Sequence, residues 1–236
     1  MRLAIITGGS RGLGRALCDV YLAQGWSVLE FSRTAPHPFS VPVDLSDPTA
    51  SADIFARSFE SIARADLSEV VAIGNAAVLG PVGPVEHASA DMVTRTLNIN
   101  IVSAILFARA FVSSFQDAAC PKTFVNISSG AAAKGYAGWS LYCACKAALE
   151  NYVRSVALEQ DLRPHPVRAI SINPGVMDTA MQTAVRAASP ADFPQVDRFL
   201  RLHRDGQLAA PTAVASRIAD IVASRPQPGG VYSVSF

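Results

Sequence analysis

The chain has 236 residues, enough for one well-buried core and short for two domains. Half of its residues are hydrophobic and 17% are charged, a composition that excludes a disordered chain. Twenty Lys and Arg against 19 Asp and Glu leave a formal net charge of +1, so no overall field draws it to nucleic acid or an anionic membrane.

Read in chain order, short apolar runs alternate with stretches of helical period. A strand is expected at 3–7, and it is too short for the core of a signal peptide. A helix follows at 12–24, then strands at 27–32 and 41–44 on either side of a Pro-rich loop. Next come a helix at 48–65, a strand at 70–74, a Gly/Pro loop at 78–84 and a helix at 90–115. The rest reads as a strand at 123–128, a helix at 140–162, a strand at 168–173, a helix at 211–224 and a strand at 231–235. The strands are apolar throughout rather than alternating, which fits burial on both faces of a parallel sheet. The expected fold is therefore α/β: one Rossmann-type, doubly wound, seven-stranded parallel sheet with helices on both faces, spanning 1–236 as a single domain. Residues 177–206 fall outside the strand–helix rhythm and read as a substrate-binding lid, or else as a pair of surface helices. No segment holds an uninterrupted transmembrane-length apolar run. Cys18, Cys120, Cys143 and Cys145 lack zinc-type spacing, so no metal is expected, and reduced thiols point to the cytoplasm.

The first strand runs directly into Thr7-Gly8-Gly9-Ser10-Arg11-Gly12-Leu13-Gly14, which opens the first helix. Glycines let the backbone approach a pyrophosphate, and the N–H groups at the helix start hold the anion. The second strand ends Glu30-Phe31-Ser32-Arg33. A site for NAD usually ends that strand with an acid for the ribose 2′-hydroxyl. Glu30 lies two residues too early, whereas Ser32, Arg33 and Arg11 suit a 2′-phosphate, so NADPH is the expected cofactor.

Farther on, Tyr142 and Lys146 stand at i and i+4, on one helix face. A nearby ammonium is expected to lower the phenol pKa and fit the tyrosine for proton transfer. Ser129 follows the strand at 123–128, where a doubly wound sheet opens on its ligand crevice, and can reach the same carbonyl oxygen. Asn100 sits in a mostly apolar helix, which by itself reads as structural.

Thr7–Gly14, Asn75-Ala76, Asn100, Ser129, Tyr142/Lys146 and Asn173-Pro174-Gly175 occur in the order and spacing of short-chain dehydrogenases/reductases, and the chain resembles that family over nearly its whole length. The resemblance implies that Ser129 and Tyr142 bind the substrate carbonyl and that Tyr142 delivers the proton. It implies further that Lys146 holds the nicotinamide ribose and that Asn100 holds a water in a proton relay. By the same resemblance Asn75 and Ala76 border the adenosine ribose, and Asp44 and Leu45 the adenine. Pro174, Gly175 and Val176 would pass beside the nicotinamide, with Thr179 near its carboxamide. One departure is Gly74, where the family usually has an asparagine; another is Ala77 for a glycine.

Gly138–Cys143, Pro174–Gln182 and Asp197-Arg198-Phe199 resemble the sepiapterin reductase branch and, within it, bacterial benzil reductases. Pterin-binding members place an acid in the last strand, and 231–236 contains none. An aromatic ketone or 1,2-diketone is therefore expected, against a wall of Tyr136, Trp139, Met177, Met181 and Phe193. A pterin reductase, an alcohol dehydrogenase and a non-catalytic NADPH sensor are the alternatives. The family also implies a homodimer, or a tetramer, packed through the helices at 90–115 and 140–162.

Overall fold

The computed structural model describes residues 1–63 and 65–235. Arg64, within the second expected helix, and Phe236, at the end of the last strand segment, lie outside the described residues. Seven strands form one parallel sheet: β1 (Arg2–Thr7), β2 (Ser27–Ser32), β3 (Ser40–Pro42), β4 (Glu69–Gly74), β5 (Lys122–Ile127), β6 (Arg168–Asn173) and β7 (Val231–Ser233). Their spatial order is β3-β2-β1-β4-β5-β6-β7. The direction of strand order reverses between β1 and β4, where open α/β sheets hold their ligands beyond the carboxyl ends.

Successive residues of β1 point to opposite faces and feed two separate cores. Ala4 and Ile6 pack under α1 (Gly12–Ala23) and α8 (Pro211–Ala223), against Leu17, Tyr21, Val214 and Ile218. Leu3 and Ile5 pack on the other face, under α2 (Pro48–Ala63), α4 (Ser103–Phe115) and α5 (Ser140–Gln160). That second core is built of phenylalanines. Phe31 meets Phe55 edge-on at 5.1 Å, and Phe55 meets Phe107 at 5.2 Å. Each buried ring contributes about 2–3 kcal/mol by leaving water.

The expected helix at 90–115 is continuous in course but not in type. It runs as α3 (Ala90–Leu97), a π-helical turn (Asn98–Val102) and α4. By length and composition alone this 26-residue run could cross a membrane, but Phe107, Phe111 and Phe115 are buried against the sheet. Its apolar character thus serves the core. The third strand lies at Ser40–Pro42 rather than 41–44, because Asp44 turns away to accept hydrogen bonds from the Ser46 N–H and hydroxyl at 3.0 and 2.8 Å. The segment 177–206 forms two helices, α6 (Ala180–Arg186) and α7 (Val196–Arg204), joined through Pro190 and Pro194.

Gly74 ends β4 and lines a small cavity of about 10 Å³ with Thr7, Leu45, Ala76, Ile99 and Phe107. A Cβ added there would lie 3.6 Å from Phe124 Cζ and 3.7 Å from the Val125 carbonyl oxygen, ordinary contact distances. Gly74→Ala is therefore expected to stabilise the protein by about 0.5–1 kcal/mol, chiefly by restricting the unfolded chain. A thermal midpoint lower than that of the parent would contradict this.

Candidate active site

The turn after β1 packs against the end of β4. Gly8 and Gly12 have φ of +73° and +56°, and a Cβ on Gly14 would stand 2.1 Å from the Gly8 carbonyl oxygen. Asn75 ties the two loops together by donating its side-chain amide to the Thr7 and Gly8 carbonyls at 3.0 and 3.2 Å. The N–H groups of Asn75 and Ala76 both donate to the Thr7 hydroxyl at 3.1 Å. At the start of α1, Arg11 supplies no side-chain cap and the first turn has no acidic residue. Its N–H groups thus keep their capacity for an anion, and the glycine-rich cradle fits a dinucleotide pyrophosphate. Ser10 is half-buried at this turn and Leu13 is buried beneath it. Thr179 faces the turn from the start of α6, with its methyl 3.6 Å from where a Gly12 Cβ would be.

Glu30, two residues too early to serve a cofactor ribose, has a structural role instead. It is fully buried and accepts hydrogen bonds from the Gly9 N–H at 2.8 Å, the Ser32 hydroxyl at 3.1 Å and the Ser40 hydroxyl at 2.6 Å. Gly9 leaves it room, since a Cβ there would lie 2.4 Å from Glu30 Cγ. Ser32 is therefore turned inward rather than towards a 2′-phosphate, and its oxygen also accepts the Ala35 N–H at 3.2 Å. Arg11 and Arg33 remain exposed at the mouth of the turn. Glu30→Ala would orphan a buried N–H and two hydroxyls, with an expected loss of about 2–4 kcal/mol. Glu30→Gln, whose carbonyl can still accept from Gly9, should retain most of that stability; equal losses in chemical denaturation would count against this role.

The candidate catalytic groups converge where β5 ends. Ser129 follows that strand and stands beside Tyr142 on α5, close enough for its hydroxyl to pull the phenol's pKa down. Tyr142 and Lys146 are 7% and 4% exposed, and the Lys146 Nζ donates to the Ile127 carbonyl at 2.7 Å. The Nζ lies 5.7 Å from the centre of the Tyr142 ring. Asn100, on the π-helical turn, is buried and grips Val78 twice: it accepts from the N–H and donates to the carbonyl, each at 2.8 Å. Asn173 closes β6 and accepts the Gly175 N–H at 3.1 Å, shaping the Pro174-Gly175-Val176 turn. Asp44 is exposed, and its hydrogen bonds to Ser46 hold its carboxyl below the usual value, helped by the nearby Arg33 and Arg95.

A family model described as short chain dehydrogenase matches residues 2–190. The chain belongs to the short-chain dehydrogenase family. A benzil reductase ((S)-benzoin forming) of Bacillus subtilis (strain 168) is 34% identical over 239 residues, covering 99% of this chain and 98% of that one. A sepiapterin reductase of Bos taurus is 29% identical, covering 93% of this chain and 89% of its own. Among solved structures, that of the KRED1-Pglu enzyme superposes with a TM-score of 0.83 at 29% identity, covering 98% of this chain and all of its own.

In this short-chain dehydrogenase the phenol does not follow the expected direction. Burial pushes the Tyr142 pKa above its ordinary value, and Ser129 pulls it back in part. Burial also acts on Lys146 itself, whose pKa falls to about 8 against the opposing pull of Cys145 and Glu150. The aromatic wall also differs in depth from the expectation. Phe193 is fully buried and stacks on Trp139 at 4.4 Å, so it backs that ring rather than lining open space. Trp139 in turn meets Tyr142 edge-on at 6.0 Å, with Tyr136 at 5.2 Å. Met181 and Val176 pack on the same cluster, whereas Met177 packs on the α1–α8 core and pairs with Ala209.

Proposed function

We propose that the chain is an NADPH-dependent reductase of ketone or 1,2-diketone carbonyls, similar in chemistry to benzil reductases. The observation that carries this reading is the convergence of Ser129, Tyr142 and Lys146 beside the glycine-rich turn. The bound dinucleotide would supply the hydride, as its nicotinamide chemistry dictates. Ser129 and Tyr142 would hold the carbonyl oxygen with their two hydroxyls, donors set in advance for the charge that develops there. Tyr142 would release its proton to that oxygen, and a buried phenol with a raised pKa stays protonated and ready through the neutral range. Lys146 would hold the nicotinamide ribose, and Asn100 would fix the Val78 loop and a relay water.

Gly8, Ser10, Arg11, Gly12, Leu13 and Gly14 would seat the pyrophosphate side, with Asn75 and Ala76 at the adenosine ribose and Asp44 and Leu45 at the adenine. Exposed Arg11 and Arg33 would take the 2′-phosphate without Ser32. Pro174, Gly175, Val176 and Thr179 would border the nicotinamide. Residues 177–206 would form the lid, with Tyr136, Trp139 and Met181 facing substrate, Phe193 behind them and Met177 anchoring the lid to the α1–α8 core. The name of the Bacillus subtilis relative and the lack of a carboxylate in β7 favour an aromatic diketone over a pterin.

A homodimer is proposed through α5 and the run from α3 through the π-helical turn to α4, which expose Leu158, Met92 and Val102. The four free thiols are consistent with a cytoplasmic protein. Initial rates with benzil test the cofactor reading: matched low NADPH should support turnover at least about tenfold above NADH, the worth of one charge-assisted contact. Equal rates would overturn it.

A further inference from the structure

At the end of the sheet away from Ser129, the first residues of β5 and β6, Lys122 and Arg168, border a cavity of about 360 Å³. Strands of this length put it roughly 20 Å from the reacting groups. His165 and Arg225 complete a ring of basic groups, and Asp161 is the acid that lines it. Pro121, Pro164, Pro166 and Pro228 supply rigid apolar walls.

Three observations give this cavity the character of a built site. Arg168 is half-buried, and its Nε has no hydrogen-bond partner among the described residues, so no protein acceptor neutralises that side of the guanidinium. Lys122 is 2% exposed and donates to the Gln116 and Ala118 carbonyls, so among the described residues one of its three N–H groups has no acceptor. Arg225 follows α8 with φ of +52°, a backbone conformation that glycine would adopt without strain. An arginine is held there all the same, at the border of the cavity. The rim is fixed by Gln160, which accepts the Val167 N–H at 2.9 Å and donates to Gln116 at 3.0 Å.

We infer that this cavity binds a small organic oxyanion, its phosphate or carboxylate head set against Arg168, Lys122 and Arg225 and its apolar body against the prolines. The volume suits a ligand of modest size, and a forked guanidinium pairs naturally with either head group. Phenyl phosphate and benzoate, titrated separately by calorimetry into protein saturated with NADPH, test it while the cofactor occupies the other anion site.

Saturable one-site binding of either compound is expected, and which one binds identifies the head group. Arg168→Met should weaken it about tenfold, as the loss of one charge-assisted contact. Arg225→Gly should weaken it similarly while leaving the thermal midpoint unchanged or higher, because glycine relieves the backbone. That second variant separates lost binding from lost folding. No saturable heat with either compound, or equal affinity in both variants and the parent, would overturn the inference.

Discussion

Tyr142→Phe is expected to lower carbonyl reduction by about 10³–10⁴-fold, because it removes the proposed proton donor together with one of the two hydroxyls proposed to hold the carbonyl oxygen. The fold should not suffer. The ring keeps its edge contact with Trp139 and its buried setting, and the one partner left behind, Ser129, is half-buried and also accepts the Ala131 N–H at 3.2 Å. Stability should stay within about 1 kcal/mol of the parent, the net worth of one hydrogen bond. Affinity for NADPH, followed by fluorescence, should be unchanged. A fall in turnover with intact cofactor binding separates chemistry from assembly; residual activity within about tenfold of the parent would remove Tyr142 from its role.

Lys146→Met is the second large effect, and it should act on rate and stability in opposite directions. Reduction is expected to fall by at least about 10²-fold, with the anchor for the nicotinamide ribose gone. In the ligand-free protein the same change should stabilise. The folded pKa of Lys146 is about 8 against an ordinary 10.5, so below pH 8 the folded state carries a buried ammonium at a cost of about 3 kcal/mol. Between pH 8 and 10.5 the unfolded chain keeps a proton that the folded one has released, and stability therefore rises with pH across that window. Methionine removes the charge and forfeits the bond to Ile127, worth about 1 kcal/mol. The variant should be the more stable by about 1–2 kcal/mol at pH 7, and its advantage should vanish towards pH 10. Denaturation curves at the two pH values check this; an advantage that grows with pH would contradict the sign.

Much of the fold could be read from the chain, because uninterrupted apolar strands such as Val70–Val71–Ala72–Ile73 admit little but burial on both faces. The pairing of Tyr142 with Lys146 was legible from helical spacing, and Ser129 from its place at a strand end. What was hidden depends on burial and on partners distant in sequence. Glu30 looked like a misplaced cofactor acid until the glycine at position 9 proved to make room for its carboxylate. A signal was available: a glycine beyond those of the fingerprint, facing an acid in the next strand. The direction of the Tyr142 shift was out of reach, since it depends chiefly on how deeply the phenol is buried. Phe193 lies behind Trp139 rather than beside it, a depth that periodicity does not give because it does not order two stacked rings. The π-helical turn around Asn100 left no mark in the apolar pattern either.

The decisive measurement is NADPH consumption with benzil, sepiapterin and a simple aromatic ketone offered side by side to the wild-type protein. Benzil turned over ahead of the other two would match a pocket of aromatic rings with no carboxylate in β7. Sepiapterin turned over first, or no turnover of any of the three despite tight NADPH binding, would contradict it.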